Sequence, residues 1–213
     1  MDTPEATAPG RSASTAAIVF AGAYLGVQMV SNIASLKVGA VAGLAVDLGT
    51  FLYPLSFTLR DAVHRTLGKK GTQIVVFTAA GLCLAMSLYL SLCTRIPAAP
   101  ECGEAMDRAF SLVFSPVWRI VVFSILAGTL SELLDTEVYQ KAAYGKKPLN
   151  RYLASFLSNL ASIPVDTFLF AFGAFAFALP WGAVWQIFFF NLAVKAVVSA
   201  IGIPLLGLAP AGR

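Results

Sequence analysis

The stretch ASFLSNLASIPVDTFLFAFGAF, Ala154–Phe175, runs for 22 residues with a single charged side chain, Asp166. A run of about 20 apolar residues is what a helix needs to cross a bilayer. An ionisable group at its middle costs at least ~2.5 kcal/mol on insertion scales, so it normally faces a bundle interior or a water-filled cavity. Five more apolar stretches flank this one. The helices are expected near residues 15–37, 43–62, 72–94, 115–138, 152–178 and 182–208. Asp61, Glu132, Asp135 and Lys195 join Asp166 inside them or at their ends. The expected fold is therefore an all-α integral membrane protein, a six-transmembrane-helix bundle with a polar site at its centre, and a carrier of small molecules is the natural class.

Composition agrees with that reading. Hydrophobic residues make up 58% of the chain and charged residues 12%, against about 25% charged in an average soluble domain. Mean hydropathy is +0.77. The net charge of +4 does not point to nucleic acid, because the basic residues gather in two short loops. One holds Arg65, Lys69 and Lys70 after Arg60, and the other holds Lys141, Lys146, Lys147 and Arg151. The segment RIPAAPECGEAMDR (Arg95–Arg108) instead carries Glu101, Glu104 and Asp107. Positive charge marks the cytoplasmic side, so both termini are expected inside. Residues 1–14 read as a disordered tail, 15–208 as one transmembrane domain and 209–213 as a short cytoplasmic tail.

Rise per residue turns sequence position into depth. At ~1.5 Å per residue, Asp166, Lys195 and Gln28 reach a similar level in three helices. Asp166 and Lys195 are expected to pair, since each costs less paired than alone. Gln28 and Asn32 share a helix face, as do Asn191 and Lys195. Glu132 and Asp135 lie on one face toward the cytoplasmic end, where Asp135 and Glu137 are also placed to meet the basic loops. Asp47 and Arg119 read as interfacial, and His64 as a solvated residue at the membrane edge. Pro54 and Pro164 fall inside spans, where a freed carbonyl is tolerated if it lines a cavity.

Small residues recur at helical spacing (Ala13, Ala17 and Ala21; Gly22 and Gly26; Gly39 and Gly43) and allow close helix approach within the bundle or in a homodimer. The three cysteines have no CxxC spacing, so a metal or redox site is not expected. Cys93 and Cys102 could bridge outside; three free thiols is the simpler state. The chain has no GxxxxGK[ST], HExxH or GxSxG motif and one histidine, so neither nucleotide hydrolysis, a multi-histidine metal nor any other cofactor or enzymatic activity is expected. One asymmetric set of charges does not make the repeated ring of a channel.

Several segments in order resemble the queuosine precursor transporter family, also called the putative vitamin uptake transporter family. They are SNIASLK (Ser31–Lys37), FLYPLSFTLRDAVHRTLG (Phe51–Gly68), LSELLDTEVYQK (Leu130–Lys141), the Ala154–Phe175 stretch with its Asp-Thr pair, and NLAVKAVVSAIGIPL (Asn191–Leu205). Where relatives carry Gln or Asn three residues before the helix-five Asp, this chain has Ile163. The resemblance implies Asn32, Asp61, Asp135, Asp166 and Lys195 as site residues. It also implies uptake of 7-deazaguanines, such as 7-cyano- and 7-aminomethyl-7-deazaguanine, across a bacterial inner membrane. A guanine-like edge presents N1–H beside a 2-amino group, two donors matched to one carboxylate. Asp166 or Glu132 would receive it, Asn32 or Gln28 would complete the hydrogen bonds, and Tyr53, Phe57, Phe168 or Phe188 could stack on the ring. The alternative reading is the substrate-binding subunit of an energy-coupling-factor vitamin importer, with Ala13, Ala17 and Ala21 as the docking stripe for a separate ATPase module.

Overall fold

The computed structural model describes residues 10–145 and 147–205. The two expected tails fall mostly or wholly outside that range. Helix α1 covers Gly10–Ala34 and leads into a two-stranded hairpin, β1 (Val38–Val41) and β2 (Leu44–Asp47). A 3-10 turn over Leu48–Leu52 follows, then α2 (Tyr53–Cys93), α3 (Glu104–Phe114), α4 (Val117–Tyr144), α5 (Arg151–Phe175) and α6 (Trp181–Leu205). Five helices among the described residues are long and apolar enough to cross a membrane.

The hairpin and the 3-10 turn together replace the first half of the expected second span. Val38 pairs with Asp47 and Val41 with Leu44. The turn between them is Ala42–Gly43, at φ 51° and 81°, the double positive-φ pattern that matches the twist of a two-residue hairpin. Gly39 and Gly43 therefore serve a strand and a turn rather than a helix contact. Hydropathy does not separate this segment from a helix, because Val-Gly-Ala-Val and Leu-Ala-Val are equally apolar in either conformation. Pro54 lands at the first turn of α2, where its missing N–H costs nothing.

Helix α2 is two legs. Gly68 has φ 68° and ψ −176°, a left-handed conformation that glycine adopts without strain. Val63 and Ala79 belong to one buried cluster with Tyr24 of α1. In a straight helix they would be ~24 Å apart, so the chain reverses at the basic loop. Residues 53–67 run down and residues 69–93 run back. The first leg, at 15 residues, is shorter than the other spans.

The helices form two halves. In one, α1 packs on both legs of α2. In the other, α4 packs on α5 and α5 on α6. Small residues carry these contacts, as expected where lipid and side chain are equally apolar. Ala171 and Ala174 are buried against Ile120 and Ile187. A Cβ on Gly173 would lie 2.0 Å from the Phe123 ring. The halves meet near the hairpin end, where Val117 and Val121 join Cys83 in one core, flanked by Met29, Ile33, Met86 and Leu90. Toward the end carrying the basic loops, contact between the halves thins. On α4 no residue after Ala127 is buried.

Helix α5 begins with a side-chain cap. Asn150 Oδ1 accepts the Leu153 amide at 2.8 Å, satisfying one of the first-turn N–H groups that lack helical partners. Asn150→Ala is expected to lower stability by about 1 kcal/mol, read as a lower thermal midpoint in detergent with uptake retained.

Candidate functional site

Asp166 of α5 and Lys195 of α6 form an ion pair, and each residue is only 7% exposed. Helix α6 carries Asn191 one turn before Lys195. Asn191 meets the Thr50 hydroxyl, and that hydroxyl also lies 3.1 Å from Asp47 Oδ2. A hydroxyl has one proton. The Thr50 hydroxyl therefore donates to one of its two acceptors, Asp47 Oδ2 or Asn191 Oδ1, at a time. Asp47 Oδ1 accepts the Gly49 amide at 3.0 Å, and the Ser35 hydroxyl donates to the same carboxylate. Ser31 Oγ donates to the Gly49 carbonyl at 3.1 Å.

These bonds tie α1, the 3-10 turn and α6 together. Asp47 caps the turn by accepting the Gly49 amide, the role Asp commonly plays before a helix. Hydropathy read Asp47 as interfacial, yet it is 2% exposed. The hairpin folds it back into the bundle, close enough for the Lys195 charge to act on it. Thr50, Asn191 and Ser35 are buried with it. Arg119, also read as interfacial, is half-buried, and no hydrogen-bond partner among the described residues reaches its Nε.

A second group gathers on α1 and α4. Gln28 Nε2 donates to the Tyr24 hydroxyl at 2.9 Å. Asn32 Nδ2 donates to the Gln28 carbonyl at 3.0 Å and contacts Cys83 Sγ at 3.3 Å. Glu132 of α4 is exposed, without a hydrogen bond or ion pair to any described residue, and Glu132 and Arg60 both act electrostatically on the Tyr24 hydroxyl. The register of α4 on α5 is set by Ser162 Oγ donating to Asp135 Oδ1 at 3.1 Å. Glu132 lies one turn from Asp135 and Asp166 one turn from Ser162. The helices are antiparallel, so Glu132 and Asp166 share a level.

The remaining expected residues are placed differently. Asp135 is half-buried and engaged with Ser162 between α4 and α5. The backbone of Asp61 lies on the first leg of α2, and its side chain lies outside the described residues. Asn159, two turns from Asp166, donates to Ser199 at 2.7 Å. Glu137 pairs with Lys141 at 3.5 Å on the exposed face, and His64 is exposed. The Phe57 ring lies under the Arg60 guanidinium at 5.3 Å. Phe168 and Phe188 pack on each other, on Phe172 and, through Phe188, on Trp185, an aromatic cluster shared by α5 and α6. The side chain of Tyr53 lies outside the described residues. All three cysteines are free thiols, and the described residues contain no cluster of metal-ligating side chains.

Sequence reasoning passed over Tyr24 and Thr50 and read Asp47 as interfacial rather than as part of the site. Tyr24 stands four before Gln28 and so shares its face. Asp47 and Thr50 were legible as a cap three residues apart, but only once the segment is known not to be helical.

A family model described as putative vitamin uptake transporter matches residues 47–209, from the Asp47 cap through the whole of α6. No curated protein and no solved structure gives a match.

Proposed function

Since the chain belongs to the putative vitamin uptake transporter family, we propose that it is a carrier, not an enzyme, importing 7-deazaguanine precursors of queuosine across a bacterial inner membrane. In this reading α1, the two legs of α2, α4, α5 and α6 are six spanning segments. The loops holding Arg65, Lys70, Lys147 and Arg151 are cytoplasmic by their charge, and both termini lie on that side.

The observation that carries the reading is the position of Glu132. It is exposed on α4, level with Asp166 by the register of α4 on α5, and near enough to act electrostatically on the Tyr24 hydroxyl. An intramembrane carboxylate that is not consumed by the fold is a functional group by default. Glu132 receives the N1–H and 2-amino donors of the ring, and Lys195 is the nearest strong donor for O6. Asp166 holds the Lys195 charge when the site is empty. Glu132 is a better receiver than Asp166, which is buried and committed to its lysine.

The alternative, a subunit requiring a separate ATPase module, would use Ala13, Ala17 and Ala21 as an outward stripe. Ala17 is 5% exposed and packed within the chain, which favours the autonomous carrier. The test is expression in a bacterium unable to make queuosine precursors and lacking its own carrier, with 7-cyano-7-deazaguanine supplied and queuosine scored in tRNA. Restored queuosine without any added ATPase is the expected result. Failure to restore it, with the protein present in the membrane, would sink the proposal. Glu132→Ala is expected to reduce uptake about 30-fold or more while expression is unchanged, since removing a hydrogen-bonded charge from a recognition site costs about 2–5 kcal/mol.

A further inference from the structure

Helix α3 has three unlike sides. Asp107, Phe110, Ser111 and Phe114 recur at intervals of three and four residues, so they share one face. These four are half-buried, and every other residue of the helix is exposed. The half-buried face meets the protein: Ser111 Oγ donates to the Thr94 carbonyl, just past the end of α2, at 3.4 Å. On a second side Glu104 and Arg108 pair with each other in the open. The third side carries Ala105, Met106, Ala109, Leu112 and Val113, an unbroken apolar strip. At 100° per residue it is centred about 120° from the charged pair and about 150° from the protein-facing side. Met106 and Leu112 are 67% and 79% exposed. A water-soluble helix turns such a strip toward its core. Here the strip is turned out, and the serine is turned in.

We propose that α3 lies flat in the bilayer–water interface on the side opposite the basic loops, with this strip against the lipid acyl chains and the Glu104–Arg108 pair in water. Lipid is the occupant for two reasons. The strip is continuous with a surface that already faces lipid. Helix α4 starts two residues after α3 and, at 28 residues, is ~42 Å long, enough to cross the bilayer without help from α3. Its second residue, Trp118, is 51% exposed, and tryptophan is the side chain enriched at membrane–water interfaces. The strip is also too small for a second copy of the chain. A stable protein interface buries about 800 Å² on each partner, more than five side chains on an 11-residue helix can supply. The helix has one basic residue against Glu104 and Asp107, so it seats by its apolar side and not by attraction to anionic headgroups. The inference is independent of which molecule the carrier imports.

The test uses the full chain in vesicles of phosphatidylcholine, which carry no net charge. Cys83→Ala, Cys93→Ser and Cys102→Ser remove the three free thiols. Met106→Cys, Arg108→Cys, Ala109→Cys and Val113→Cys, one at a time, then take a nitroxide spin label. Collisions with oxygen, which concentrates in lipid, and with a nickel chelate, which stays in water, report where each label sits. The ratio of oxygen to nickel collisions is expected to be several-fold higher at positions 106, 109 and 113 than at 108. Labels at 106 and 113 are expected at one depth. A helix standing upright on α4 would set them ~10 Å apart, seven residues of rise, and that gradient would overturn the proposal. Nickel reaching 106 and 113 as readily as 108 would overturn it too, since the strip would then face water. Spin–spin broadening at 106 and 113, with both collision agents shut out, would mark a second copy on the strip and overturn lipid as its occupant.

Discussion

Lys195→Met abolishes uptake and destabilises the protein by about 3–5 kcal/mol, the cost of leaving a buried partner charge uncompensated. Asp166 is 7% exposed, so no solvent is available to take over from the ammonium. The loss has two separable parts. Replacing both members of the pair with apolar residues of similar volume, Lys195→Met with Asp166→Leu, is expected to return stability to near its starting value, because such swaps of buried pairs are often neutral. Uptake should stay absent in the double variant. Thermal unfolding in detergent and queuosine in tRNA measure the two parts. A single variant that unfolds normally and still transports would show that the pair is neither structural nor functional.

Gly49→Ala has a smaller effect, for a steric reason. A Cβ there would lie 2.0 Å from Ser35 Oγ and 2.6 Å from the Ser31 carbonyl oxygen. Neither can give way. Ser35 Oγ holds the Asp47 carboxylate, and the Ser31 carbonyl accepts the Ser35 amide in α1 at 2.9 Å. The 3-10 turn must then leave α1 and draw Asp47 and Thr50 away from Asn191. Overpacking of this kind costs about 1–3 kcal/mol, and uptake is expected to fall with it. Gly22→Ala is the control, since a Cβ there meets nothing within 4 Å. Equal thermal midpoints and uptake for the two variants would show that the turn does not need its close approach to α1.

What the sequence disclosed depended on regular geometry. Asp166 and Lys195 were paired from depth alone, because both lie in helices where each residue adds a fixed rise. Gln28 and Asn32 were placed on one face by the same arithmetic. That reasoning fails where the backbone stops being helical. The residues around Asp47 are as apolar as a span, so their hairpin was invisible to hydropathy, and a buried carboxylate read as interfacial. Gly68 was legible as part of a loop by the charges around it, although the helix on its near side proves short. Asp135 shows a different limit. Its spacing from Glu132 put both on one face, but only the packing of α4 on α5 shows that one is taken by Ser162 and the other is not.

The joint between the halves has a mechanical consequence. Legs of about 24 residues are ~36 Å long, and among the described residues the core shared by the two halves, Val117 and Val121 with Cys83, lies toward one end. Any swing that preserves those contacts turns there, as a lever about its fulcrum. A rotation of ~5° would then shift the far tips by ~3 Å over a leg of that length, while the ends at the hairpin stay almost still. The chain of bonds from Ser31 through Gly49, Asp47 and Thr50 to Asn191 lies close to that fulcrum. It is therefore in the part of the molecule where the smallest displacements are asked of it, and where short, rigid hydrogen bonds survive the stroke.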